Sequence, residues 1–173
     1  MEESFIEAES FPVRFIGRKA ELNTFCGLIE RAKINRLSIL LIHGEAGIGK
    51  SRLLEECAEI GNQEGCDLIE YTCRVDSRFP EMLVWKRVLG CYSDNKGKSR
   101  AESPEDHAFD ALMPTVESGV PKRPILILID DIHLAGNEFL RDMLVFLELC
   151  KRQPVLLAAA CRDQRTGEKS TFL

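Results

Sequence analysis

Residues 44–51 leave the chain few options. They read Gly44-Glu45-Ala46-Gly47-Ile48-Gly49-Lys50-Ser51. They follow the apolar run Leu37-Ser38-Ile39-Leu40-Leu41-Ile42 and precede a stretch with Leu53, Leu54, Cys57 and Ile60 at helical spacing. A G-x-x-x-x-G-K-[ST] pattern between a strand and a helix is a loop that cradles phosphate. Glycines at 44, 47 and 49 permit backbone angles that a side chain disfavours. The chain can then curl so that successive N–H groups point at phosphate oxygens. A helix starting near Lys50 adds its positive dipole end to the same place. Lys50 would reach the β- and γ-phosphates, and the Ser51 hydroxyl would ligate Mg²⁺. The expected contact segment runs Gly44, Glu45, Ala46, Gly47, Ile48, Gly49, Lys50, Ser51 and Arg52, and the ligand class is a nucleoside triphosphate with Mg²⁺. The alternative is a glycine-rich turn with an incidental lysine.

A second block supplies what such a loop needs. Ile125-Leu126-Ile127-Leu128-Ile129 is an apolar strand that ends in Asp130-Asp131. Mg²⁺ keeps several waters and takes one or two carboxylates beside the phosphates. Asp130 is therefore the expected metal residue with Ser51. Asp131 is the candidate to orient or deprotonate an attacking water, with aspartate the shorter of the two acidic arms. Strand-terminal aspartates also cap turns without any metal. Arg162 follows a further apolar run and would meet charge developing on the γ-phosphate. The catalytic set read from sequence is thus Lys50, Asp131 and Arg162. His133 could relay nucleotide state to a partner, but the simpler reading is a surface or packing residue, and Trp85 is read as core.

Strand-like and helix-like segments alternate. Helical spacing begins near Lys19, with Leu22, Phe25, Leu28, Ile29 and Ala32 on one face. Residues 39–42 read as a strand covered on both faces, and residues 50–61 as a helix stopped by Gly61-Asn62. Residues 66–73 read as a strand and 81–91 as a helix. Residues 92–106 are polar and read as a mobile loop, followed by a short helix over 107–113. Residues 125–129 and 155–161 are two more strands. Asn137 would cap a helix over 138–152. Such alternation gives an α/β fold with a mostly parallel sheet and helices on both faces. Ligands in these sheets lie at the carboxyl ends of the strands.

The 173 residues are 45% hydrophobic and 29% charged, with a net charge of −5. That suits one soluble domain and gives no broad electrostatic grip on nucleic acid. Seven cysteines form no C-x-x-C pair, which fits reduced, mostly buried thiols. The acidic start is unlike a signal peptide, and no apolar stretch reaches membrane-spanning length. A cytoplasmic location follows as an expectation.

Four blocks carry a family resemblance. They are Phe15-Ile16-Gly17-Arg18-Lys19-Ala20-Glu21-Leu22, residues 43–54, residues 128–135 and residues 154–163. Together they resemble the STAND class of AAA-type P-loop ATPases, notably the modules found beside LuxR-type DNA-binding domains and class III nucleotide cyclases. The first resembles an hhGRxxEL signature, the second and third the Walker A and Walker B motifs, the fourth a strand ending in arginine. The resemblance implies a three-layer P-loop fold, ATP rather than GTP, and Val13, Ile16, Gly17 and Arg18 near the adenine. It implies slow hydrolysis, a nucleotide switch in a signalling or transcription-regulatory protein, and partners that are other domains or further copies. The expected organisation is a lead-in over 1–14, an ATPase domain over 15–163 and a polar tail over 164–173. Family members carry a fifth strand beside the first. Residues 163–173 offer no candidate for it, so the first strand is expected at a sheet edge, as in a truncated domain. A non-hydrolysing scaffold and, less well fitted, a small-molecule kinase are the other readings.

Overall fold

The computed structural model describes residues 18–75, 81–92 and 108–162. Helix α1 (Lys19–Lys33) leads into strand β1 (Ser38–Gly44), followed by α2 (Lys50–Gln63) and β2 (Asp67–Thr72). Helices α3 (Glu81–Tyr92) and α4 (Ala108–Ser118) come next, then β3 (Ile125–Asp130), α5 (Asn137–Leu149) and β4 (Val155–Arg162). The four strands pair in parallel in the order β1-β4-β3-β2. This is the expected α/β architecture.

Side-chain alternation along the strands builds two cores. On one face Leu126, Leu128, Leu156, Ala158 and Ala160 meet α1 and α2 through Phe25, Ile29, Leu53, Leu54 and Cys57. On the other, Ile125, Ile127, Ile129, Val155 and Leu157 meet α3, α4 and α5 through Trp85, Val88, Leu112, Phe139 and Phe146. Trp85 is a core residue, as its helical setting suggested. The inner strands β3 and β4 are buried on both faces, as near-continuous apolar runs should be.

Strand β1 departs from that expectation. Ile42 is buried, but Ile39 and Leu41 are 46% and 62% exposed. Their register partners Leu157 and Ala159 belong to the α3–α4–α5 core. Among the described residues β1 lies at the sheet edge, and those helices do not extend over it. Edge position, rather than the run of apolar residues, decides its burial.

Three helix ends also differ from the sequence reading. Helix α2 continues past Gly61-Asn62 to Gln63. It stops at Gly65, whose φ of 76° is left-handed. The Cys66 N–H donates to the Gly61 carbonyl and the Gly65 N–H to the Asn62 carbonyl, the paired bonds of a glycine-terminated helix. Gly61 serves packing instead. A Cβ there would stand 2.2 Å from Leu126 Cδ2, on a side chain with no exposed surface. Gly61→Ala is therefore expected to cost about 1–3 kcal/mol in overpacking. Better helix propensity returns about 1 kcal/mol. Chemical denaturation reads the net loss, and an unchanged midpoint would mean that Leu126 swings aside freely. Helix α4 runs through Pro114 to Ser118 rather than ending at Met113. Leu112 and Val116, on either side of the proline, are fully buried, and this packing outweighs the lost backbone bond. Helix α5 begins at Asn137 itself, with Gly136 in the capping position, and its last turn tightens to a 3-10 turn over Cys150–Arg152.

Gln153, 7% exposed, joins the helical layer to β4. Its Nε2 donates to the carbonyls of Val116 (2.8 Å) and Gly119 (2.9 Å), and its Oε1 accepts from the Tyr92 hydroxyl at 3.1 Å. All seven cysteines are free thiols. Burial pushes the Cys57 and Cys150 thiols up to about 12, while Cys26 is exposed. Alkylation at pH 8 is expected to modify Cys26 first and to reach Cys57 and Cys150 only in denaturant. Mass spectrometry checks the order, and early labelling of Cys57 would contradict this packing.

The segment 92–106, apart from Tyr92 at the end of α3, lies outside the described residues. So do the 1–14 lead-in and the 164–173 tail. No described helix is long and apolar enough to cross a membrane.

Candidate nucleotide site

Three strand ends meet at one edge of the sheet. Strand β1 ends at Gly44, which is in register with Arg162, the last residue of β4 rather than the one after it. Strand β3 ends at Asp130, beside β4. The sequence placed all three at carboxyl ends, and the strand order makes those ends neighbours.

From Gly44 the chain turns through residues 45–48, which are exposed, into α2. Gly47 and Gly49 have φ of 78° and 88°, and a Cβ at either would meet nothing within 4 Å. Backbone angle, not crowding, accounts for glycine there. Lys50 opens α2 and is 7% exposed. Its Nζ donates to the Gly44 carbonyl (3.0 Å) and the Glu45 carbonyl (2.8 Å). The ammonium thus lies folded across the loop. Lysine has three donors and no acceptor, so among the described residues a third is left that could meet an anion. The first N–H groups of α2 have no acceptor within the helix. Ser51 is the second residue of that helix and is exposed. The Arg52 side chain turns along α2 to Glu55 (2.8 Å) and Glu56 (2.9 Å), so only its backbone faces the loop end.

Arg18 holds a left-handed backbone (φ 55°) just before α1, and its Nη2 donates to the Ile48 carbonyl at 2.5 Å. Arg18 therefore fastens the start of α1 to the loop. Sequence reasoning placed Arg18 near a base and had no signal for this contact. Val13, Ile16 and Gly17 lie outside the described residues.

The acidic pair sits on a tight turn. Asp130 Oδ1 accepts the Asp131 N–H at 2.9 Å. Asp131 is left-handed (φ 51°, ψ 41°) and leads into a 3-10 turn over Ile132–Leu134. Asp131 Oδ1 accepts from Arg162 Nε at 3.3 Å. His133 Nδ1 lies 3.8 Å from the same oxygen and is buried. Sequence put Asp131 and Arg162 in one site but gave no sign that they pair. A shallow cavity of about 270 Å³ between β2 and α3, lined by Asp67, Ile69, Arg87 and Cys91, shares no residue with this cluster.

The sequence profile of the AAA ATPase domain matches residues 14–158. The chain belongs to that family. No curated protein sequence matches it. Among solved structures, Drosophila ORC bound to DNA resembles it with a TM-score of 0.56 and 18% identity, over 88% of this chain and 38% of that one. The ORC1 protein of Aeropyrum pernix in complex with DNA gives 0.56 and 15%, over 88% and 41%. The ORC2 protein of the same organism, in ADPNP-ADP complexes, gives 0.50 and 16%, over 90% and 44%. At these identities the likeness is one of fold. The domain spans about two fifths of the chains it resembles.

Proposed function

We propose that this AAA ATPase domain is an ATP-binding, slowly hydrolysing switch of the STAND type, part of a larger signalling or transcription-regulatory protein. One observation carries the reading: Lys50 lies folded over a glycine loop whose β1 end is in register with Arg162. The donor set suits a triphosphate. Backbone N–H groups and Lys50 would take the β- and γ-phosphates, and Arg162 the γ-phosphate. Hard oxygen ligands suit Mg²⁺, and the fit rests on Ser51 at the start of α2 and on Asp130, with one carboxylate oxygen already accepting a backbone N–H. When bound, Mg²⁺ would neutralise charge on the phosphates. Asp131 would orient water. Val13, Ile16, Gly17 and Arg18 would lie toward the base, with Arg18 also bracing the loop through Ile48. The ADPNP-ADP complexes of the ORC2 relative support adenine nucleotide as ligand.

A non-hydrolysing scaffold is the second reading, favoured by the engagement of Asp131 with Arg162. The test is binding and hydrolysis of Mg-ATP by the chain, by Lys50→Ala and by Asp131→Asn. Binding lost in Lys50→Ala together with phosphate release lost in Asp131→Asn supports the switch. Binding without release in the parent chain supports the scaffold. Equal binding by parent and Lys50→Ala defeats the switch. Two relatives were solved with DNA, but with its charge of −5 we assign this segment no direct nucleic-acid contact. Its proposed partners are other domains, or further copies on ATP binding.

A further inference from the structure

Asp131 stands between two side-chain nitrogens at unequal distances. Arg162 Nε is 3.3 Å from Oδ1 and His133 Nδ1 is 3.8 Å from it. The Arg162 side chain is 52% exposed, so it can leave without disturbing the core. The His133 side chain is 14% exposed, and its buried Nδ1 has no hydrogen-bond partner among the described residues. Buried ring nitrogens are seldom left so. A small rotation of the Asp131 carboxylate toward His133 would supply that partner.

We propose that Asp131 changes hands when nucleotide enters. Before nucleotide enters, Arg162 would hold the carboxylate through the contact described above. A γ-phosphate at residues 44–51 draws the guanidinium toward Gly44, and His133 then takes Oδ1. The proposal rests on the ATP-switch reading and deepens it, because it names what separates the diphosphate from the triphosphate state. Only the triphosphate carries the group that competes for Arg162. Asp131 would be restrained until that group is present and steadied by His133 afterwards. The restraint must weaken triphosphate binding, since part of the binding energy goes into breaking the Arg162–Asp131 pair.

The test is calorimetric titration of the chain with Mg²⁺ and either β,γ-methylene-ATP or ADP. In a His133→Ala background, where the carboxylate gains no partner after the exchange, Asp131→Asn is expected to tighten the triphosphate analogue about two- to fivefold, the range that coupling in an exposed ion pair supports. The gain should shrink or vanish in an Arg162→Ala background, and ADP affinity should stay unchanged. Simple repulsion between Asp131 and phosphate predicts the reverse, a gain as large or larger once Arg162 is gone, and that result overturns the proposal. A guanidinium that bridges carboxylate and phosphate together also overturns it, since Asp131→Asn would then weaken binding. His133→Ala should weaken the analogue about two- to fivefold and leave ADP alone. His133→Asn should restore affinity, because the amide nitrogen takes the place of Nδ1. Equal weakening of both nucleotides would make His133 merely structural and overturn the exchange. Parent binding no better than Lys50→Ala sinks the ATP reading itself, whereas good parent binding without this cycle sinks only the exchange.

Discussion

Lys50→Ala is expected to lower affinity for Mg-ATP by about 10- to 100-fold while leaving the fold intact. A hydrogen bond to a charged group contributes about 1.5–3 kcal/mol, and each 1.4 kcal/mol is tenfold in affinity. The effect on folding is expected to be small. Among the described residues Lys50 Nζ serves the Gly44 and Glu45 carbonyls alone. With Glu45 exposed, water can replace the donor at its carbonyl, and the space left by the shortened side chain would admit water to the buried Gly44 carbonyl. Calorimetry reads the affinity, and far-ultraviolet circular dichroism with a thermal melt reads the fold. A variant that melts like the parent and binds ATP equally well would show that the loop does not use its lysine, and the proposed site would fall.

The largest loss of stability is expected on the other face of the sheet. Trp85 is 2% exposed and meets Phe109, Phe139 and Phe146 with ring centroids 5.0, 5.5 and 5.6 Å away. It is where α3, α4 and α5 touch one another as well as the strands. Trp85→Ala should cost about 3–5 kcal/mol, transfer energy plus the cavity left behind. Domains of this size have only about 5–15 kcal/mol in all, so the variant would be near its limit. Trp85→Phe should cost much less. Denaturant titration measures both. A loss below about 1 kcal/mol for Trp85→Ala would mean that the three helices collapse into the space, against the dense packing expected of such a core. ATP affinity per folded molecule should hardly change, because the loop and Trp85 lie in different layers.

The sequence disclosed the frame of this domain because its signals are local. Glycines and a lysine at fixed spacing define the loop, and a strand ending in acid defines its counterpart. Both survive whatever the rest of the chain does. Periodicity located α1, α2, α3 and α5 and all four strands. It failed where the outcome depends on neighbours distant in sequence. Residues 39–42 look like a strand buried on both faces, yet edge position exposes Ile39 and Leu41. Gly61 reads as a helix stop, but its contact with Leu126, far along the chain, makes it a packing residue. The helix read over 107–113 is longer in the fold, where the buried pair Leu112 and Val116 carries it past Pro114. Within the site, residue types were legible and pairings were not. Nothing in one dimension links Arg18 to Ile48, or Arg162 to Asp131.

The backbone at Asp131 sets a limit that goes beyond its hydrogen bonds. Its φ of 51° lies in the left-handed region that aspartate, asparagine and glycine visit readily, whereas other residues incur a penalty of about 1–2 kcal/mol. The turn therefore selects the length of the acid. A glutamate would reach further into the site, but only at the expense of the turn that aims it. Reach and turn cannot be optimised independently at this position. A short acid, kept close to its own turn, is the form of carboxylate this backbone favours.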